Sequence, residues 1–217
     1  MSVIAVVDYG MGNLHSVAKA LERVAPSARI VLTQDAAVVR AADRVVFPGQ
    51  GAIGHCMSEL ARLDLVEPLR QAAHDKPLLG MCLGPQALMT HSDENGGVAG
   101  LGVFAGDVRR FPDGLSNPAN GERLKIPHMG WSRVQQTAPH PLWAGIEQGA
   151  RFYFVHSYYL LPQDRGIVAG TTEYGFEFAS ALASGNVFAA QFHPEKSAAA
   201  GLRLLANFAA WDPSRDR

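Results

Sequence analysis

Apolar residues in the first half of the chain alternate between two patterns. Residues 3–7, 29–32, 44–47 and 77–81 are short runs, mostly rich in β-branched residues, bounded by polar or Gly-containing stretches, and read as strands. Between them apolar positions recur at helical spacing. Val17, Leu21 and Val24 mark one such segment, and others cover about residues 53–62, 65–73 and 85–89. Strands alternating with helices predict parallel pairing through right-handed crossovers. Such sheets collect their sites at the carboxyl ends of strands.

The second half has a different pattern. Pro, Gly, Asn and Asp crowd residues 111–122 and mark a loop. Strand-like runs follow at 132–135, 151–160, 167–172, 176–183 and 186–192, the last two separated by the turn Ser184-Gly185-Asn186. An amphipathic helix over about 197–211 carries Leu202, Leu205, Phe208 and Trp211 on one stripe. The expectation is one α/β domain over residues 1–211. Its central sheet is largely parallel and flanked by helices, with a smaller antiparallel strand section. Residues 212–217 read as a polar C-terminal tail with no structure assigned.

Composition narrows the class. The 217 residues are 47% hydrophobic and 18% charged, which excludes disorder as the dominant state. Nineteen Lys+Arg against 20 Asp+Glu give a net charge of −1, so no electrostatic pull toward nucleic acid or an anionic membrane is expected. No apolar run reaches the roughly 18 residues of a membrane span. Residues 1–8 lack a basic leader and their apolar run stops at Asp8, so no targeting segment is read and the cytoplasm is the default. Two cysteines, Cys56 and Cys82, exclude a disulfide framework and a zinc ribbon. The eight histidines stand at no metal-ligand spacing, so neither metal nor cofactor is expected.

Cys82 stands in Gly80-Met81-Cys82-Leu83-Gly84, after an apolar run and before a helical one. This is a nucleophile-elbow pattern with Cys in place of Ser: flanking glycines permit a sharp turn, and the helix start beyond it favours a thiolate. Pro85 suits a first helical turn. The alternative is a small buried hydrophobe, which is how Cys56, inside a helical pattern, is read. A thiolate needs a base. His193, in Gln191-Phe192-His193-Pro194-Glu195, ends an apolar strand, and Glu195 two residues on could share its face and orient the imidazole. A third element, Pro48-Gly49-Gln50-Gly51, follows the third strand. Its backbone N–H groups, with that of Leu83, could donate to a developing oxyanion. Taken alone, each of these last two is also ordinary turn chemistry.

Pro48-Gly49-Gln50-Gly51, Gly80-Met81-Cys82-Leu83-Gly84-Pro85-Gln86 and His193-Pro194-Glu195 together resemble the class I glutamine amidotransferases. Asp8-Tyr9-Gly10-Met11-Gly12-Asn13-Leu14, Pro127-His128-Met129-Gly130-Trp131 and Tyr153-Phe154-Val155-His156-Ser157-Tyr158 resemble one branch, the glutaminase subunits of imidazole glycerol phosphate synthases. The resemblance spans about residues 3–210 and implies a Cys82, His193 and Glu195 triad that hydrolyses glutamine to glutamate and ammonia. It implies an oxyanion hole from Gly49, Gln50, Gly51 and Leu83, and glutamine held by Gly51, Gln86, Ser157 and Tyr158. The ammonia would pass to a (β/α)8-barrel cyclase subunit that forms imidazole glycerol phosphate and aminoimidazole carboxamide ribotide. Tyr9, Met11, Asn13, Met129, Trp131 and Lys196 fall to the cyclase interface or channel mouth. Core packing for Met129 and Trp131, and a helix cap for Asn13, are the alternatives. Three positions depart from the branch: Gln50 stands where a small aliphatic is usual, Pro85 where Met is usual and Ser132 where Asn is usual. Other functions remain open: a glutaminase serving a different synthase, and an inactive relative acting as a binding module.

Overall fold

Asn13 opens the first helix, its side chain accepting from Ser16 N at 3.3 Å, and similar local signals set the rest of the chain. The computed structural model describes residues 1–215. The elements begin β1 (Val3–Val7), α1 (Leu14–Val24), β2 (Arg29–Thr33), α2 (Ala36–Ala41) and β3 (Arg44–Phe47). They continue with α3 (Ile53–Arg62), α4 (Val66–Asp75), β4 (Leu78–Met81), α5 (Leu83–Leu88), β5 (Met89–Ser92), β6 (Val98–Ala99) and β7 (Phe104–Arg110). After a long loop come β8 (His128–Arg133), β9 (Gln135–Gln136), β10 (Arg151–His156), β11 (Tyr158–Pro162), β12 (Val168–Glu173), β13 (Glu177–Ser184), β14 (Val187–Ala190) and α6 (Ala198–Ala210).

Strand order in the large sheet is β2-β1-β3-β4-β14-β13-β11-β7-β5-β6, with β12 and β9 attached through β13. The run β2-β1-β3-β4-β14 is parallel throughout. Its central strands are buried end to end, as a sheet covered on both faces requires. From β14 to β13, β13 to β11 and β11 to β7 the pairing is antiparallel. A separate antiparallel pair, β10 with β8, lies apart from it. One core, including Val6, Leu79, Phe188 and Leu205, lies on the α1 and α6 side; the other, including Phe47, Leu60, Leu69 and Leu88, lies under α3, α4 and α5. This is the single α/β domain with a parallel centre and an antiparallel section that the residue pattern predicts.

Several elements differ from that pattern. α2 is a six-residue helix capped by Asp35, whose side chain accepts from Ala37 N. Met89 begins a strand rather than ending a helix, and β5, β6 and β7 fill a stretch with no predicted element. β8 starts at His128, ahead of the run read from residue 132. The run at 151–160 is two strands, β10 and β11, because the chain changes sheets at Ser157. Pro213–Arg215 adds a single 3-10 turn where no structure was assigned; residues 216–217 lie outside the described residues. No helix of the described residues is long and apolar enough to cross a membrane.

Candidate active site

β3, β4 and β14 are neighbours, so the loops at their carboxyl ends meet. Those loops carry residues 48–51, Cys82, and His193 with Glu195. At Cys82 the chain leaves β4 and enters α5 without a spacer, at φ 54° and ψ −89°. Such a backbone costs about 1–3 kcal/mol and persists only where the surroundings impose it. They do so here: Cys82 N donates to Ala190 O at 2.8 Å, and Gln191 Nε2 donates to Cys82 O at 2.9 Å. Gly84 lets α5 lie against β3, since a Cβ there would collide with the Phe47 carbonyl oxygen. Pro85 sits buried in the first turn, where no helical hydrogen bond is lost.

His193 Nδ1 and Glu195 Oε1 are 2.8 Å apart, and both side chains are almost wholly buried. Tyr153 O receives His193 N at 2.9 Å, and Ser197 Oγ donates to His193 O at 2.6 Å, which fixes the backbone on both sides. Burial alone would lower the imidazole pKa. The adjoining Cys82 sulfur and Glu195 carboxylate outweigh it and raise the pKa to about 9. With Nδ1 engaged by Glu195, Nε2 is the nitrogen with no hydrogen-bond partner among the described residues. Cys82, His193 and Glu195 share a cavity of about 10 Å³ with Gly12, Asn13 and Gly49, room for one water-sized molecule.

On the other side of Cys82 a cleft of about 370 Å³ opens to solvent. Gln50, Gly51, Leu83, Gln86, Ser157 and Tyr158 line it, as do Glu94 and His156. The structure thus brings Gly51, Gln86, Ser157 and Tyr158 to one pocket beside the thiol. Glu94 escaped the sequence reading because it sits in an irregular turn after β5 with no motif around it. Its Oε2 accepts from Ile53 N at 2.7 Å. Gln191 carries no sequence signal of its own beyond adjoining Phe192-His193. Its amide bridges Cys82 O and Gln86 Nε2, the latter at 3.1 Å.

The oxyanion hole is where the expectation and the structure part. Leu83 N donates to Gly49 O at 3.4 Å, so the 49–50 peptide turns its carbonyl, not its N–H, toward the elbow. Two donors and no acceptor are needed there, and this arrangement supplies one engaged donor and one acceptor. Behind this strand Tyr9 is fully buried, and its hydroxyl donates to Pro48 O at 2.9 Å. Burial, the largest cause, raises the Tyr9 pKa. Tyr9 therefore lies inside the fold rather than at a docking surface. Gly49 must lack a side chain because a Cβ would occupy the place of the Tyr9 hydroxyl.

The other expected surface residues are accessible. Met129 and Trp131 are 61% and 47% exposed, which removes the core reading for both. Trp131 stands 6.0 Å from the Tyr153 ring, and Lys196 Nζ lies 6.0 Å from the same ring. Asn13 is exposed and caps α1, and Met11 is half-buried against Gly51. Cys56 is fully buried in α3, and burial, its largest cause, pushes its thiol pKa up to about 12. Both cysteines are free. Among the described residues no group of His, Cys, Asp and Glu is arranged to hold a metal ion.

The family profile for class-I glutamine amidotransferases matches residues 5–210. An imidazole glycerol phosphate synthase subunit HisH from Methylococcus capsulatus is 58% identical over 100% of this chain and 100% of its own length. Another from Aromatoleum aromaticum is 57% identical over 98% of this chain and 100% of its own. Among solved structures, PurLQS from Thermotoga maritima superposes with a TM-score of 0.71 at 18% identity, covering 95% of this chain and 97% of the other; that likeness concerns the fold alone.

Proposed function

The chain belongs to the class-I glutamine amidotransferase family, and within it to the HisH subunits of imidazole glycerol phosphate synthase; from that membership we propose that it releases ammonia from glutamine with Cys82, His193 and Glu195. The Cys82 sulfur attacks the carboxamide carbon as its proton passes to His193 Nε2. As the tetrahedral adduct collapses, the C–N bond breaks and His193 Nε2 gives its proton to the departing ammonia. Water, deprotonated by His193, then cleaves the glutamyl thioester to glutamate and restores the thiol. Glu195 holds the imidazole by Nδ1, keeping Nε2 for the reacting atoms. One observation carries this reading above the rest: a nearly buried His–Glu pair stands beside a cysteine on a strained elbow, at the edge of a polar cleft.

The substrate is a small zwitterion, which suits the cleft. The Glu94 carboxylate is placed to take the α-ammonium, while Gly51, Gln86, Ser157 and Tyr158 hold the remainder. Ammonia leaves on the opposite side of Cys82, through the small cavity beside Gly12 and Asn13. Met129, Trp131 and Lys196 supply an exposed aromatic and cationic patch for a (β/α)8-barrel cyclase, with Met11 and Asn13 at the mouth of the passage. That partner uses the ammonia in histidine biosynthesis. A thiol nucleophile also fits a reducing, cytoplasmic setting.

The inward carbonyl of Gly49 supports a gated enzyme. Turning the 49–50 peptide would release Leu83 N–H and bring Gln50 N–H to the oxyanion, and docking of the partner is the natural trigger. The test is glutamate release by the chain alone, with the cyclase, and with cyclase plus its nucleotide. The partner and nucleotide are expected to raise the rate, and Cys82→Ala to abolish it, by about 10⁴-fold or more. Undiminished turnover by Cys82→Ala would refute the nucleophile, and equal rates in all three mixtures would refute the gate. Stimulation by a different synthase would redirect the partner.

A further inference from the structure

His128 and His156 form a hydrogen-bonded chain that the proposed chemistry does not use. His156 Nδ1 lies 2.7 Å from Tyr158 O, which only accepts, so Nδ1 carries the proton. In a neutral ring Nε2 is then an acceptor, and it lies 3.0 Å from His128 Nδ1. His128 therefore donates there and accepts at Nε2, 2.8 Å from the Ser132 hydroxyl. One tautomer of each ring satisfies all three bonds, and a proton added to His156 would force the chain to reverse its donors. Burial, the largest cause in each case, lowers His128 to about 3 and His156 to about 4, so both rings are neutral at pH 7. His128 is also clamped by stacking, with ring centroids 4.0 Å from Tyr174 and 4.8 Å from Phe154.

The two ends of this chain lie in different settings. At one end is β8, which among the described residues pairs only with β10. His128 and Ser132 turn inward from it, whereas Met129 and Trp131 turn out to solvent. At the other end is the corner at Ser157, where the chain passes from the small sheet to the large one. Tyr158 O there also accepts from Gln86 Nε2 at 3.3 Å, and Val155 O lies 3.9 Å from Cys82 Sγ. His156, Ser157 and Tyr158 all line the cleft.

We propose that Ser132, His128 and His156 are positioning residues, a relay that sets the 155–158 corner for glutamine and ties its geometry to the exposed strand β8. The proposal rests on the reading of the cleft as the glutamine site. In this relay the Ser132 hydroxyl supplies the terminal donor.

The experiment measures KM and kcat for glutamine in the full chain with its cyclase. In parallel it measures the glutamine concentration that half-protects Cys82 from iodoacetamide, a readout that needs no turnover. His156→Phe fills the aromatic surroundings but donates nothing to Tyr158 O. It is expected to raise both KM and the half-protecting concentration about tenfold or more, with kcat within about threefold. His156→Asn keeps a donor near the Nδ1 position but not the acceptor for His128, so it is expected to recover most of the loss and to leave both values a few-fold above the parent. Ser132→Ala raises KM by a few-fold and Ser132→Thr restores it. Thermal melting reports the folded fraction of each variant. Phe and Asn variants with parental KM and protection, or losses that track only the folded fraction, would overturn the relay. Protection without turnover in the parent would count against the glutaminase reading and leave the relay to be judged on protection. A parent that glutamine does not protect would refute the cleft and the relay together.

Discussion

The two sides of Cys82 differ in readiness. On one side His193 and Glu195 are set: buried, hydrogen-bonded at 2.8 Å and fixed by backbone contacts to Tyr153 and Ser197. On the other, the 48–51 strand presents a carbonyl where an oxyanion needs donors. Proton transfer is prearranged and charge stabilisation is not. A rigid base costs nothing in the absence of substrate, because it cannot by itself stabilise the tetrahedral adduct. Withholding the oxyanion donors is an economical way to prevent idle hydrolysis, since a single donor is worth about 10²–10³ in rate.

The largest expected effect attacks the ready side. Glu195→Gln should lower kcat by about 10³-fold or more, because the imidazole loses its fixed orientation and charge partner. It should also shift the alkaline limb of the rate profile. With His193 raised to about 9 and acting as the proposed acid, that limb is expected near pH 9 in the parent and lower in the variant. A limb that stays in place would detach Glu195 from the titration.

Gly49→Ala attacks the unset side. The new methyl competes with the Tyr9 hydroxyl, so partner-stimulated turnover should fall about tenfold or more and stability by about 1–3 kcal/mol, read from denaturant melts. Unchanged stimulation would separate the strand from the gate. Gln191→Leu touches the seam between the sides. It leaves Cys82 O without its donor and Gln86 Nε2 with Tyr158 O as its remaining acceptor, which should cost about 1–3 kcal/mol and lower the rate of Cys82 alkylation.

The pH dependence of stability sharpens the contrast between histidines. His193 is raised from 6.5 to about 9, so its contribution is complete below pH 6.5 and lost as pH rises through 9. His128 and His156 are lowered from 6.5 to about 3 and about 4, so their neutral burial is fully tolerated above pH 6.5 and destabilises as pH falls toward 4. Together these three place a stability maximum near pH 6.5. Glu195→Gln should flatten the alkaline side in a series of melting temperatures. The smallest effect belongs to Cys56→Ala, which should cost about 1 kcal/mol and leave glutamine turnover within about twofold.

Local signals made part of this legible in the sequence. The buried parallel strands announce themselves as short apolar runs closed by Asp8, Pro48 and Cys82, the first two of them β-branched, and the elbow and His193-Pro194-Glu195 are short enough to carry their own chemistry. Residues 89–110 gave no such sign: β5 reads Met-Thr-His-Ser and sits far from the parallel centre, so neighbouring strands, not its own pattern, make it a strand. β8 begins in Pro127-His128-Met129-Gly130-Trp131, whose alternation is hidden by a polar inward residue, His128. Gln191 bonds a residue 109 positions away, a contact that no local window contains. The turned 49–50 peptide is a conformational choice, not a composition, and Gly49 permits either orientation.

On this reading the nucleophile is ready before the oxyanion hole is. Iodoacetamide needs only a reactive Cys82, whereas glutamine also needs the oxyanion donors. The decisive measurement compares both rates in one preparation, with and without the cyclase and its nucleotide. Alkylation of Cys82 is expected to be already fast in the lone chain and to change little, while glutamate release rises by about 10²-fold or more. Alkylation and hydrolysis rising together, or full hydrolysis by the lone chain, would contradict it.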